Sequence, residues 1–394
     1  MNRSTWRLVL VFLPLYAAAI FFAFSSFRAL PEFLLQPVQR LGSPLRAGDR
    51  VYFLTEQRRE RFLLKTADFA VDLWAFDATT ATPVWRKRLE IEIQRTTDGI
   101  SILGAQGDTL WLLIPKGLAA ASLATGDLLA DPATMEARNP SLRGLLPREA
   151  RFFQFDAAGL QLRAADGRDW RVDARSFSVR PAETGEKPDT GAIAPAYFAP
   201  NGTLAFQERG LLIPGRWLGL LNNKEANDLN DRSTVGGLDG ESRRRLWEAR
   251  TKPARNIFGD YVAYSNFTPL GKSYLAPGLL SSGPGDRQPL LLRNPDSVLI
   301  LYRDLLGEKG RLQVDRVAGP AGRILWTAPL PISVLQSVLP GSKSLVLYGM
   351  LPPAKKNDRA REMLITIDLA TGVIHVHDES DVSQNPAAVS AAAP

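Results

Sequence analysis

A chain with no cysteine and only two histidines has little material for catalysis. Zero Cys removes a thiolate nucleophile, a disulfide framework, a Cys-ligated zinc site and an acylated lipid anchor together. His375 and His377 alternate. On a strand they would share a face and, with Asp378 as third ligand, clip a metal; the plainer reading, a half-exposed strand face, is preferred. Gly271-Lys272-Ser273 ends like a phosphate loop, but Asn266 stands where the first glycine is required. The pairs Glu90/Glu92 and Asp169/Asp173 have the look of acid–base partners, yet a chain with 41 acidic residues shows such pairs by composition alone. Two basic clusters remain. Arg243-Arg244-Arg245 is followed by Arg250, Lys252 and Arg255, and Lys355-Lys356 by Arg359 and Arg361. They form a candidate interaction surface for anionic headgroups or an acidic partner, set against the reading of solvated loops. No catalytic residue, metal site or cofactor is expected.

The elements that would position such residues are short. Of 394 residues, 45% are apolar and 23% charged, which excludes a mostly disordered chain and a polytopic membrane protein. The 31 Gly and 28 Pro favour many turns over long helices. The net charge of +7 is spread thinly. The sharpest local signal is Leu8–Phe27, uncharged and bracketed by Arg7 and Arg28. At about 1.5 Å per residue it reaches roughly 30 Å, the thickness of a hydrocarbon core. Ser25–Ala29 fits a cleavage site poorly, so an uncleaved single-pass anchor is expected over a signal peptide. The long following domain places residues beyond 28 outside the cytoplasm. The expected organisation is a cytoplasmic tip and anchor over 1–28, a linker over 29–46, a β domain over 47–378 and a disordered tail over 379–394.

Within 47–378, runs such as Asp108–Ile114, Ser344–Leu351 and Met363–Asp368 are aliphatic or aromatic and bounded by turn residues. Asp49–Thr82 holds no Gly or Pro and is read as one long hairpin, although Glu56–Lys65 is helical by composition. Trp85, Trp170, Trp247 and Trp326 recur at intervals of 85, 77 and 79 residues, each near twice a 40-residue unit. A strand followed by Asp or Ser and a Thr-Gly turn occurs at Ala121–Gly126 and Thr366–Gly372, with a degenerate copy at Leu73–Thr79. The glycines Gly126 and Gly372 would supply positive φ in a hairpin whose next strand returns an aromatic to the neighbouring sheet.

This pattern, strand then Asp-x-x-Thr-Gly then x-x-x-Trp, resembles the PQQ-like repeat of quinoprotein-like β-propellers, best in 73–89, 117–130 and 365–378. Thr80-Ala81 departs from Thr-Gly in the first copy, and 180–290 departs almost wholly. The chain is also similar to bacterial membrane-anchored envelope propellers. The resemblance implies an all-β, seven- or eight-bladed β-propeller at about 40–47 residues per blade. It also implies no quinone dehydrogenase, because those enzymes hold the cofactor with a vicinal disulfide. The expected function is a binding or scaffold module in the bacterial envelope: single-pass in the inner membrane, C-terminal domain periplasmic, with a protein partner and no nucleic acid. The alternative is a propeller hydrolase or lyase acting on an envelope polymer.

Overall fold

The computed structural model describes residues 39–61, 66–89, 99–183, 192–193, 210–213, 215–222, 225, 243–256, 259–280, 291–292, 297–306, 310–318, 322–351 and 360–378. The expected anchor over 1–28 and tail over 379–394 lie outside these residues. Among the described residues no helix is long and apolar enough to cross a membrane.

The architecture is all-β and propeller-like, a succession of small antiparallel sheets. Sheet one is β1 (Gln39–Ala47), β2 (Arg50–Arg61), β3 (Thr66–Asp77) and β4 (Pro83–Leu89), in that order. Sheet two is β5 (Ser101–Gln106), β6 (Thr109–Ile114), β7 (Gly117–Ser122) and β8 (Leu128–Ala130). Helix α1 (Pro132–Arg138), capped by Asp131 on Thr134 N, leads to sheet three. That sheet is β9 (Phe153–Asp156), β10 (Gly159–Arg163), β11 (Asp169–Val172) and β12 (Val179–Pro181). Strand β13 (Ala192–Ile193) returns to the free edge of β5.

An eight-stranded sheet follows. Its strands are β14 (Gly210–Ile213), β15 (Arg216–Leu221), β16 (Arg243–Asn256), β17 (Gly259–Leu279), β18 (Leu291–Leu292), β19 (Ser297–Arg303), β20 (Leu312–Ala318) and β21 (Arg323–Pro329). It holds two four-stranded sets, because β17 pairs with β16 on one side and, past a bulge, with β19 on the other. The last sheet is β22 (Val334–Leu339), β23 (Ser344–Leu351), β24 (Arg361–Asp368) and β25 (Ile374–Asp378).

Strand periodicity explains how the sheets stack. Tyr52 and Leu54 of β2 pack with Ile102, Leu110 and Leu112 of sheet two. Val51 and Phe53, alternating with them, pack with Val346, Tyr348 and Leu364 of the last sheet. Sheet one is therefore sandwiched between its successor and the final sheet. Trp111 and Leu113 pack on Leu160 and Leu162 of sheet three, and Leu299, Leu301 and Val314 on Leu345, Leu347 and Ile365 of the last sheet. Strands such as β6, TLWLLI, are buried along their whole length because both faces are covered.

Three expectations meet the structure here. The long hairpin expected over Asp49–Thr82 is β2–β3, paired from Arg50↔Asp77 to Arg61↔Thr66. The linker expected over 29–46 gives way to strand β1 from Gln39. Gly42 and Pro44 read as breakers, but they fall in a bulge between Leu41 and Leu45, where Gly42 takes φ +67° and no ladder N–H is needed from Pro44. The expected blades appear as six four-stranded sets among the described residues, counting β17 twice, and they are unequal in length: sheet one spans 39–89 and sheet three only 153–181.

Candidate functional site

The most repeated local structure is the turn between the third and fourth strands of a sheet. In sheet one it is Asp77–Thr82, in sheet two Ser122–Asp127, in sheet three Asp173–Ser178 and in the last sheet Asp368–Val373. Each closes with the fifth residue's N–H on the first carbonyl and the first N–H on the sixth carbonyl, at 2.8–3.0 Å. The leading side chain caps the turn: Asp77 Oδ1 accepts from the N–H groups of Thr79 and Thr80 at 2.8 Å, and Asp173 Oδ1 from those of Arg175 and Ser176. The fifth residue is left-handed in all four: Ala81 (φ 56°), Gly126 (75°), Phe177 (57°) and Gly372 (76°).

These turns are the joints between sheets. A Cβ added to Gly126 would lie 2.6 Å from the Trp85 ring of sheet one, and one on Gly372 would lie 2.7 Å from the Trp326 ring. Each indole thus lies flush on the next sheet's turn. Trp326 Nε1 also donates to Leu369 O at 3.0 Å, whereas Trp85 Nε1 is buried without a partner among the described residues. Lys87 and Asp127 add an ion pair across the first joint. Between the last sheet and sheet one, Ser344 Oγ donates to Ala78 O (2.7 Å), Thr366 Oγ1 to Thr79 O (2.9 Å) and Arg46 Nη1 to Ser344 O (2.8 Å).

Only two of the four tryptophans singled out by spacing share this role. Trp85 and Trp326 sit on fourth strands, four residues past the left-handed residue. Trp170 and Trp247 sit on third strands, Trp170 against the core of sheets two and three and Trp247 donating to Leu221 O at 3.2 Å. Equal intervals arose from unequal strand positions. The turn at Asp173–Ser178 carries no Thr-Gly; Asp followed three residues later by a hydroxyl is the signal that finds it.

The candidate surface residues separate. Arg243, Arg244 and Arg245 lie in strand β16, not a loop. Arg244 reaches Glu225 at 3.4 Å, while Arg243 and Arg245 fall on the alternate side, so the three make no single patch. Lys355 and Lys356 lie outside the described residues. His377 packs on the Phe76 ring at 4.6 Å and Asp378 pairs with Arg361. Among the described residues no group of three His, Cys, Asp or Glu could hold a metal ion.

The richest polar cluster was not singled out from sequence. Asp315, fully buried, receives the hydroxyls of Tyr302 (3.0 Å) and Thr327 (2.8 Å) and faces Lys272 Nζ at 2.8 Å. Lys272 also donates to Tyr302 OH at 3.0 Å and lies over the Tyr274 and Tyr302 rings. Burial pushes the Lys272 ammonium down, but Asp315 and Tyr302 outweigh it and its pKa is raised. Burial, reinforced by Asp315, raises the Tyr274 hydroxyl far above its ordinary value. A charged lysine, a carboxylate engaged by three donors and two un-ionised tyrosines hold strands β17, β19, β20 and β21 together. This geometry supports structure; the carboxylate is already committed to those donors.

The inter-sheet contacts also align the sheet ends. Arg46 and Ala78 meet Ser344, Arg50 donates to Leu123 O, and Thr109 donates to Ala174 O, so these sheets place their third-to-fourth turns on one face. Arg303 donates to Ser333 O, which brings the β19–β20 connection to the end where β22 starts and β23 finishes. The second face therefore carries the second-to-third connections: the β2–β3 tip at Arg61/Thr66, Pro115-Lys116, Ala164–Arg168 and the loop from Asp304 to Arg311. Gln39, opposite Glu56, enters from that same face. The turn face bears Asp49, Asp77, Asp108, Asp127, Asp173 and Asp368 beside Arg46, Arg50, Arg175, Arg323 and Lys343. The entry face bears Lys116, Arg168 and Arg311 beside Asp166 and Asp304.

No protein-family model and no curated protein matches the chain. Solved structures to which it is similar include the computationally designed Ika8 protein, at 10% identity over 86% of this chain and 90% of that one, with a TM-score of 0.22. The tricorn protease is 10% identical over 85% of this chain and 39% of its own, at TM-score 0.20. The Dos1 propeller is 9% identical over 89% and 85%, at TM-score 0.21. At these identities and TM-scores the likenesses decide neither fold detail nor activity.

Proposed function

We propose that this chain is a β-propeller of the quinoprotein-like kind, with six blades among the described residues, tethered to the bacterial inner membrane by Leu8–Phe27 and serving on the periplasmic side as a binding or scaffold module. The observation that carries the reading is the repeated joint. An Asp- or Ser-led turn with a left-handed fifth residue seats on the previous sheet, twice beneath an indole, as the Asp-x-x-Thr-Gly-x-x-x-Trp pattern requires. Such joints make a rigid disc, and a rigid disc suits recognition by loops and turns at its faces. The ionised side chains with several partners, Asp315 with Lys272 and Asp72 with Arg86 and Arg88, are spent on holding strands. The uncharged 20-residue run preceding the disc supplies the tether.

Fractionation and labelling of the full chain test this. The protein is expected in the inner-membrane fraction after alkaline washing, with a cysteine introduced at Lys343 open to an impermeant maleimide in cells whose outer membrane is permeabilised. A protein released by the wash, or one labelled only after the inner membrane is broken, overturns the reading. Photo-crosslinkers at Thr125 and Lys343 on the turn face are expected to capture one discrete protein. A loss of polymer-degrading activity on deleting the gene, restored only by an intact chain, favours the enzyme instead.

A further inference from the structure

Two of the largest apolar exposures in the described chain are neighbours. Leu305 is 61% and Leu306 59% exposed, at the connection between β19 and β20. Other exposed aliphatics, such as Val84, Leu128 and Leu129, lie on fourth strands at the sheet edges. Leu305 and Leu306 instead crown a loop. The two ends of the connection are tied: Asp304 Oδ1 accepts from Arg311 N at 2.7 Å, and Arg303 donates to Gly310 O and Ser333 O. Two exposed leucines beside those ties leave apolar area in water, which costs roughly 25 cal/mol per Å² unless something covers it.

Their place in the fold says what covers them. The β19–β20 connection lies on the entry face, where Gln39 joins β1. Residues 28–38 are all that separate Gln39 from the uncharged run ending at Phe27. Fully extended they reach at most about 40 Å. The tether therefore holds the entry face, and not the aspartate-bearing turn face, close to the bilayer. Lys116, Arg168 and Arg311 are exposed on the entry face, beside Asp166 and Asp304. Basic residues within a Debye length of an anionic surface are attracted to it, and aspartates are repelled.

We propose that Leu305 and Leu306 dip into the headgroup layer of the bilayer that anchors this chain, so that the disc rests on the membrane by its entry face. The proposal rests on the anchored reading above. The leucines bury their side chains at the boundary between headgroups and acyl chains, and the nearby cations meet lipid phosphates.

The absence of native cysteine makes the test direct. The full chain carrying Leu305→Cys, or Lys343→Cys as the turn-face control, is labelled with an environment-sensitive fluorophore and reconstituted into vesicles containing one third anionic lipid. Nitroxide-bearing lipids serve as quencher. The Leu305 label is expected to emit further to the blue and to lose at least half its intensity to the quencher, with the Lys343 label unchanged. Vesicles of zwitterionic lipid alone are expected to weaken the quenching at 305. If the chain floats with the vesicles and the Leu305 label is not quenched, the proposal fails while the anchor stands. A blue-shifted label that lipid nitroxides do not quench means that another protein copy covers the leucines, and it also overturns the proposal. A chain that does not float removes the anchor and this proposal with it.

Discussion

The joint between sheets one and two and the joint between sheets two and three use the same turn with opposite sizes. At the first, a large Trp85 on the fourth strand meets a Gly126 with no side chain, and a Cβ there would lie 2.6 Å from the ring. At the second, the position equivalent to the indole is Ala130, and the left-handed residue of the turn is Phe177, set edge-on to Trp111 at 5.9 Å. The volume that one partner lacks the other supplies. Close packing of a joint therefore constrains a sum and not a residue. That explains why a left-handed φ, which costs a non-glycine residue about 1–2 kcal/mol, persists at Phe177. The lost backbone energy is offset by a buried aromatic ring, with Asn139 Nδ2 donating to Phe177 O at 2.9 Å. A third kind of joint lies inside the long sheet. There β17 passes through, and hydrogen bonding plus the Asp315 cluster stand in for an indole.

The largest expected effect is at that third kind. Asp315→Ala leaves Lys272 and two hydroxyls without their shared acceptor, and should destabilise by about 3–5 kcal/mol, read from guanidinium unfolding of the purified protein. An unchanged midpoint would mean that strand pairing alone carries the joint. Phe177→Gly should cost about 3–4 kcal/mol by opening a cavity; adding Ala130→Trp should recover more than half, because the pair then copies the first joint. Additive losses in that double-mutant cycle would show that size exchange is not the rule. Next, Gly126→Ala and Gly372→Ala should each cost about 2–3 kcal/mol, from overpacking against the indole and from a side chain at positive φ. Ala81→Gly, at a site without an indole, should change stability by less than about 1 kcal/mol. Trp326→Phe should cost about 1 kcal/mol more than Trp85→Phe, because only Trp326 loses a hydrogen bond, to Leu369 O.

The smallest effect concerns pH. Burial pushes the Asp77 carboxyl up, but the amides of Thr80 and Thr79 and the Thr80 hydroxyl outweigh it, so its pKa lies below the ordinary value. Asp368 is lowered by the Thr371 hydroxyl and amide, and Asp173 by the amide and hydroxyl of Ser176. A depressed folded pKa gives stability that is complete above the unfolded value, about 3.9, and is lost as pH falls through the folded one. Asp77→Asn keeps an acceptor but cannot titrate. Its stability profile below about pH 4 should be flatter than that of the parent, with little change at neutral pH. Parallel acid limbs would show that the turn is not linked to protonation.

The joints were partly legible in the residues. Ser122–Gly126 and Asp368–Gly372 announce themselves through Thr-Gly, and Trp326 follows Gly322 at the spacing of a returning fourth strand. Interval counting failed for Trp170 and Trp247, since a period reports chain length and not strand rank. Phe177 was hidden because left-handed geometry is expected of glycine, and only the neighbour's small Ala130 makes room for a ring. The start of β1 was hidden because Gly42 and Pro44 look the same in a bulge and in a linker. Arg243–Arg245 read as one cluster because sequence adjacency says nothing about the alternation of a strand. Asp315 and Lys272 lie 43 positions apart and meet only when β17 and β20 join one sheet.

Sheet one and the last sheet are each made of contiguous residues, and Arg46 bonds to Ser344 across 298 positions of chain. Among the described residues no strand is exchanged between them. While the polypeptide is being synthesised, the side of sheet one formed by Val51, Phe53, Trp74 and Phe76 has no lid until the final strands emerge. A nascent chain of this protein thus carries a bare aromatic wall for most of its synthesis. Truncation anywhere before β22 would leave that wall permanently open, a ready nucleus for aggregation and for capture by holding chaperones.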